Sequence, residues 1–144
     1  MEVQKIREIV AQQRDEVLRM NVRNWCDRVE EQFLELDSPL AQIVIGVRRS
    51  GKSTLCHKFL KQHNITYAYI NFDDERMVNF HTEDFDRLLE ALTIVYGDFE
   101  YLFVDEPQNI SYWHLFVNRL LRQQVHVFLT GSNAKLLSGE LATH

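Results

Sequence analysis

The stretch Gly46-Val47-Arg48-Arg49-Ser50-Gly51-Lys52-Ser53 constrains this chain more than any other. It fits G-x-x-x-x-G-K-[ST] at every fixed position. Before it, Ile43, Val44 and Ile45 form an apolar β-branched run that reads as a buried strand. After it, Leu55, Phe59 and Leu60 recur at helical spacing. Strand, glycine-bounded loop and helix in that order build an anion cradle. The two glycines admit turns that a Cβ would block. Successive backbone N–H groups then face one centre, and the helix start adds its own N–H groups and dipole. Gly46, Arg48, Arg49, Ser50, Gly51, Lys52, Ser53 and Thr54 are therefore the expected nucleotide-binding positions. Lys52 is expected on the β- and γ-phosphates and the Ser53 hydroxyl on Mg²⁺. Arg48 and Arg49 could serve a partner, a neighbouring subunit or nucleic acid, although loop arginines are more often simply solvated.

The rest of the chain alternates strands and helices around this loop. Residues 2–20 read as a helix, with Val3, Ile6, Ile9, Val10, Gln13 and Val17 on one stripe. A second helix is expected from Val22 to Leu36. Two uses fit these helices: a layer packed on the sheet, or an adenine-side or docking element. Asp37-Ser38-Pro39 is a turn, and Leu40–Ile45 is the first strand. A helix from Lys52 to His63 stops near Asn64, and Ile65–Phe72 is the second strand. Asp73-Asp74 at its end is either a polar turn or a holder of a second substrate or metal. Thr82 is the expected cap of an amphipathic helix that Gly97 ends. Tyr101-Leu102-Phe103-Val104 is a continuous apolar run, hence a buried central strand. Ser111 is expected to cap the next helix, Val125–Leu129 is the fourth strand, and a last helix starts near Ala134. This order calls for a parallel sheet covered on both faces.

A nucleotide hydrolase also needs a carboxylate beside Mg²⁺ and a group that orients water. Asp105 and Glu106 follow the buried strand and emerge at the sheet edge where the loop lies. Asp105 is the candidate for the metal, through coordinated water, and Glu106 for polarising the attacking water. Ser132 and Asn133, after the fourth strand, are both candidates for the γ-phosphate or the water. No Asn-Lys-x-Asp follows the loop, so nothing selects guanine and ATP is the expected nucleotide.

Composition narrows the class. The chain has 144 residues, 45% hydrophobic and 26% charged, with net charge −5, and carries no global basic signature for nucleic acid. Its two cysteines, Cys26 and Cys56, lie far apart, which suits a reduced, cytoplasmic protein. No run approaches the length of a membrane span. The histidines show no metal-ligand spacing.

With these residues in hand, the chain resembles the AAA-type ATPase domain of a family of bacterial and archaeal P-loop proteins. The resemblance runs from about residue 38 to the end. It rests on Gly46–Thr54, on Tyr69–Arg76 (Y-I-N-F-D-D-E-R), on Tyr101–Gln108 (Y-L-F-V-D-E-P-Q), on Trp113, and on Leu129–Ser138. It implies a three-layer αβα P-loop fold of the AAA/ASCE type. In that sheet, the strand carrying Thr130–Asn133 lies between the loop strand and the Asp105-Glu106 strand. It implies Walker A at Gly46–Ser53, Walker B at Asp105 and Glu106, and a sensor-type residue at Ser132 or Asn133. Relatives continue into a fifth strand, an arginine that acts on the nucleotide, and further domains. The chain is thus expected to be an N-terminal piece, with a helical segment at 1–37 and a truncated core at 38–144. The activity implied is Mg²⁺-dependent ATP hydrolysis driving a motor or switch on a DNA or protein client, in a possible homo-oligomer of the longer protein. A binding switch with negligible turnover and a P-loop kinase using Asp73-Asp74 are the alternatives.

Overall fold

The computed structural model describes residues 1–20, 34–46 and 51–132. Arg48, Arg49, Ser50, Asn133 and the expected last helix lie outside the described residues. So does most of the expected helix from Val22 to Leu36; its last three residues, which are described, are not helical. The elements are α1 (Val3–Leu18), β1 (Gln42–Ile45), α2 (Lys52–Gln62), β2 (Ala68–Asn71), α3 (Phe85–Tyr96), β3 (Tyr101–Asp105), α4 (Trp113–Arg122) and β4 (His126–Gly131). Short 3₁₀ turns at Glu75–Met77, Thr82–Asp84 and Pro107–Asn109 lie in the described connections.

Among the described residues, four strands form one parallel sheet in the order β1-β4-β3-β2. Consecutive strands are joined by helices, because parallel neighbours need a crossover longer than any hairpin. As the resemblance implied, β4 separates the loop strand from the strand that ends in Asp105. Side chains along each strand alternate between two cores. Ala68, Ile70, Leu102, Val104, Val127 and Leu129 face α3, α4 and the first half of α1. Tyr69, Phe103 and Phe128 face α2, where they pack on Cys56, Phe59 and Leu60. Helices therefore cover both faces, giving α/β architecture in three layers.

Helix α1 runs past the free edge of the sheet at β2. Its Ile6, Ile9 and Val10 belong to one core and its Val17 to the other. Gln13 sits at the crossing, 1% exposed. Its amide pairs with the edge strand on both sides: Nε2 donates to the Asn71 carbonyl at 3.0 Å, and the Asn71 N–H donates to Oε1 at 2.9 Å. At Asn71 the side chain thus does for β2 what a fifth strand's backbone would do, at an edge that invites pairing.

Three local expectations are corrected. β2 begins at Ala68 rather than Ile65, because the exit from α2 consumes the intervening residues. Asn64 adopts φ 58 there, and the Ile65 N–H returns to the Leu60 carbonyl. Thr82 does not cap a helix: its hydroxyl donates to the Ser111 carbonyl at 2.5 Å, and α3 starts three residues later. The turn before α3 is instead closed by Asp84, which accepts from the His81 N–H. Ser111 is not the cap of α4 either; Tyr112, at φ 61, precedes the helix with no side-chain cap. Gly97 ends α3 as expected, at φ 78, a conformation costly to any residue with a Cβ.

Candidate functional site

Strand parity decides what reaches the carboxyl edge. Phe103 faces α2, so Asp105, two residues on, faces it too. By the same count Thr130 follows Phe128. In the register of the sheet, Tyr69 lies opposite Phe103, and Thr130 lies opposite Asp105. Ser53 stands at the start of α2 above this face. Gly51 makes that start possible: it holds φ 85 immediately before Lys52, a left-handed conformation that favours glycine.

Three hydroxyls consequently converge on one carboxylate. Ser53 Oγ donates to Asp105 Oδ2 at 2.6 Å, and Tyr69 Oη donates to the same oxygen at 2.5 Å. Thr130 Oγ1 donates to Oδ1. Asp105 is 4% exposed. Burial raises its pKa above the ordinary carboxylate value, although the Ser53, Thr130 and Tyr69 hydrogen bonds pull the other way. Burial also holds the Tyr69 phenol well above its ordinary value, so it remains a donor.

Glu106 leaves the strand in the left-handed region, at φ 53 and ψ 52. A non-glycine residue there costs about 1 kcal/mol or more. The bend carries its side chain to Lys52, whose Nζ lies 3.0 Å from Oε1. The other oxygen accepts from the Ser132 N–H at 3.1 Å, from Ser132 Oγ at 3.0 Å, and from the Gln108 amide. Burial pushes the Glu106 pKa up, but the hydrogen bonds from Gln108, Lys52 and Ser132 outweigh it and leave it below the ordinary value. Among the described residues, the buried Gln108 Oε1 has no hydrogen-bond partner.

These groups open onto a cleft of about 550 Å³. Lys52, Ser53, Asp105 and Glu106 form one wall; Tyr69, Asn71 and Asp73 continue it along the sheet edge. Gln13, Glu16, Val17 and Met20 of α1 and its end form the opposite wall. Asp74 takes no part in that lining. It is committed to Arg76, with Nη2 at 2.6 Å, and to Gln13, with Nε2 at 2.9 Å. Hydrogen bonds from Arg76 pull its pKa down to about 2.

The donor set suits Mg²⁺. It is a hydroxyl beside a carboxylate, all oxygen, next to a cationic lysine and a helix start. Mg²⁺ is typically held by one or two carboxylates, waters and substrate phosphates. The described residues include no cluster of three or more His, Cys, Asp or Glu side chains that could hold a metal alone, and such a site needs none.

Of the residues expected from the sequence, Lys52, Ser53, Asp105, Glu106 and Ser132 are brought together here; Gly46 and Gly51 bracket the loop, and Gly46 donates its N–H to the Gly131 carbonyl. Thr54 follows Ser53 in the first turn of α2. Tyr69, Gln108 and Gln13 were not singled out as site residues by sequence reasoning. Tyr69 shares the period-two face of its strand, but only the register between β2 and β3 sets it against Asp105.

A family profile described as an AAA domain matches residues 38–144. An uncharacterized protein of Methanocaldococcus jannaschii is 39% identical over 104 residues, covering 71% of this chain and 23% of its own length. An uncharacterized protein of Haemophilus influenzae is 36% identical over 115 residues, covering 74% and 29%. The chain therefore spans about a quarter of the length of the curated relatives it matches. The sheet order and the profile match point the same way, and the chain belongs to the AAA domain family of nucleotide-binding P-loop proteins.

Proposed function

We propose that this domain binds ATP with Mg²⁺ and hydrolyses it, and that the cycle works a switch or motor on a client. The observation that carries the reading is the pairing of Ser53 with Asp105 at 2.6 Å and of Lys52 with Glu106 at 3.0 Å, at one end of one sheet. Ser53 and Asp105 would hold Mg²⁺, directly and through water, and the metal would neutralise charge on the β- and γ-phosphates. Lys52 exchanges Glu106 for the phosphates. Glu106 Oε1, released, accepts a proton from the attacking water. The water oxygen bonds to the γ-phosphorus as the bond to the β,γ-bridging oxygen breaks, and ADP leaves. Gln108 and Ser132 keep hold of the other Glu106 oxygen throughout, so the base is oriented before water arrives. Asn133 remains a candidate for the γ-phosphate.

The kinase alternative loses support from Asp74, whose carboxylate is already occupied by Arg76 and Gln13. The site-level test is phosphate release from ATP, with and without DNA or candidate protein clients. Lys52→Ala should abolish nucleotide binding, and Glu106→Gln should retain binding while hydrolysis drops. Undiminished ATP binding by Lys52→Ala would refute the assignment.

A further inference from the structure

Asp105 has two oxygens and three hydroxyl donors, and the donors come from three separate elements: α2, β2 and β4. Ser53 is the donor that a metal would also recruit. Thr130 belongs to the strand next to Asp105 and holds Oδ1. Tyr69 is different. It reaches across from the edge strand, lines the cleft, and shares Oδ2 with Ser53 at 2.5 Å. Its ring is itself fixed. Phe103 packs against it with centroids 5.1 Å apart, and His57 meets it edge-on at 4.6 Å. The residue is 6% exposed, so the hydroxyl has little freedom to leave.

We propose that Tyr69 is a positioning residue for the metal site: its hydroxyl fixes the rotation of the Asp105 carboxylate and so the lone pairs it presents to the water shell of Mg²⁺. This deepens the proposed function and rests on it. A carboxylate pinned at Oδ1 alone still turns about its Cβ–Cγ bond. A second donor on Oδ2 removes that freedom, and the aromatic packing of the donor makes the constraint stiff. When Ser53 commits a lone pair to the metal, Tyr69 goes on holding Oδ2. Groups that orient metal ligands in this way typically account for about 10–100-fold in metal affinity.

The test is Mg²⁺ titration of the chain with a non-hydrolysable ATP analogue, read by calorimetry or by nucleotide fluorescence. Tyr69→Phe removes one oxygen and keeps the ring against Phe103 and His57. The half-saturating Mg²⁺ concentration should rise about 10-fold, while analogue affinity in EDTA stays within about twofold of the parent. Thr130→Val, which leaves Tyr69 in place, should raise it as well, and the double variant more than either. An unchanged Mg²⁺ dependence in Tyr69→Phe overturns the proposal. Equal losses with and without Mg²⁺ also overturn it, because that pattern marks a packing role. A parent chain that binds no analogue at all overturns this inference and the ATPase reading together; a parent that binds with a normal Mg²⁺ response while Tyr69→Phe does not differ overturns this inference alone.

Discussion

Replacing Glu106 by Gln should tighten nucleotide binding, for a reason separate from lost hydrolysis. Lys52 and Glu106 are each 9% exposed in their side chains and lie 3.0 Å apart. At an effective dielectric of ~20, unit charges at that separation attract by roughly 5 kcal/mol before desolvation is counted. Removing one partner of such a pair typically costs about 3–5 kcal/mol, because the other charge stays buried and uncompensated. A glutamine oxygen still accepts from Lys52, so we take the cost in the nucleotide-free protein as about 2 kcal/mol. Once the triphosphate supplies Lys52 with a new anion, that cost disappears. Around the thermodynamic cycle the lost stability reappears as affinity, and about 2 kcal/mol is roughly 30-fold in Kd. Loss of the Glu106 charge beside the phosphates acts in the same direction. The assay is paired: urea unfolding of parent and variant without nucleotide, and calorimetric titration of both with a non-hydrolysable ATP analogue and Mg²⁺. The analogue removes turnover as an explanation. A variant that is destabilised yet binds the analogue no more tightly than the parent would refute the exchange of partners by Lys52.

Two further outcomes follow from groups outside the acid pair. His57 is fully buried, with Nδ1 2.7 Å from the Tyr67 hydroxyl and Nε2 without a partner among the described residues. Burial, aided by Lys61, lowers its pKa from 6.5 to about 3. Below pH 6.5 the unfolded chain takes up a proton that the folded chain refuses, so this contribution is complete above that pH and is lost as pH falls towards 3. The loss approaches about 1.4 kcal/mol per pH unit, or about 2 kcal/mol between pH 6.5 and 5; His57→Phe should flatten that slope in urea unfolding, and an unaltered slope would place the titration elsewhere. Gln13→Leu strips the Asn71 N–H and C=O of their partners at the sheet edge. It should cost about 1–3 kcal/mol, measured as a lower urea midpoint at unchanged slope, and a loss below about 0.5 kcal/mol would mean that water replaces the amide.

Much of the candidate site was legible from local pattern alone. The loop motif needs only its own glycines, lysine and serine, and the run ending in Asp105-Glu106 carries its own burial and its own exit to the sheet edge. Gly97 likewise announces the end of α3. Where expectation and structure diverged, a competing hydrogen bond or a local turn had overridden propensity. Thr82 had the right chemistry for a cap, but the Ser111 carbonyl took its hydroxyl. Ile65–Tyr67 had strand propensity, but a left-handed Asn64 bent them into the turn that closes α2.

By itself, then, the order of residues determined the candidate phosphate-loop motif, the alternation of strands with helices, and the placing of the two acids at the end of a buried strand, since each depends on neighbours within a few positions. Tertiary structure alone decided that Tyr69 and Thr130 flank Asp105, that Gln13 serves as backbone for the edge of β2, and that Glu106 bends back to Lys52. The physical reason is that side-chain parity is set within a strand, whereas the register between parallel strands is set by how the helices linking them pack. A hydroxyl on β2 comes within 2.5 Å of a carboxylate on β3 only after both cores have closed on either side of the sheet.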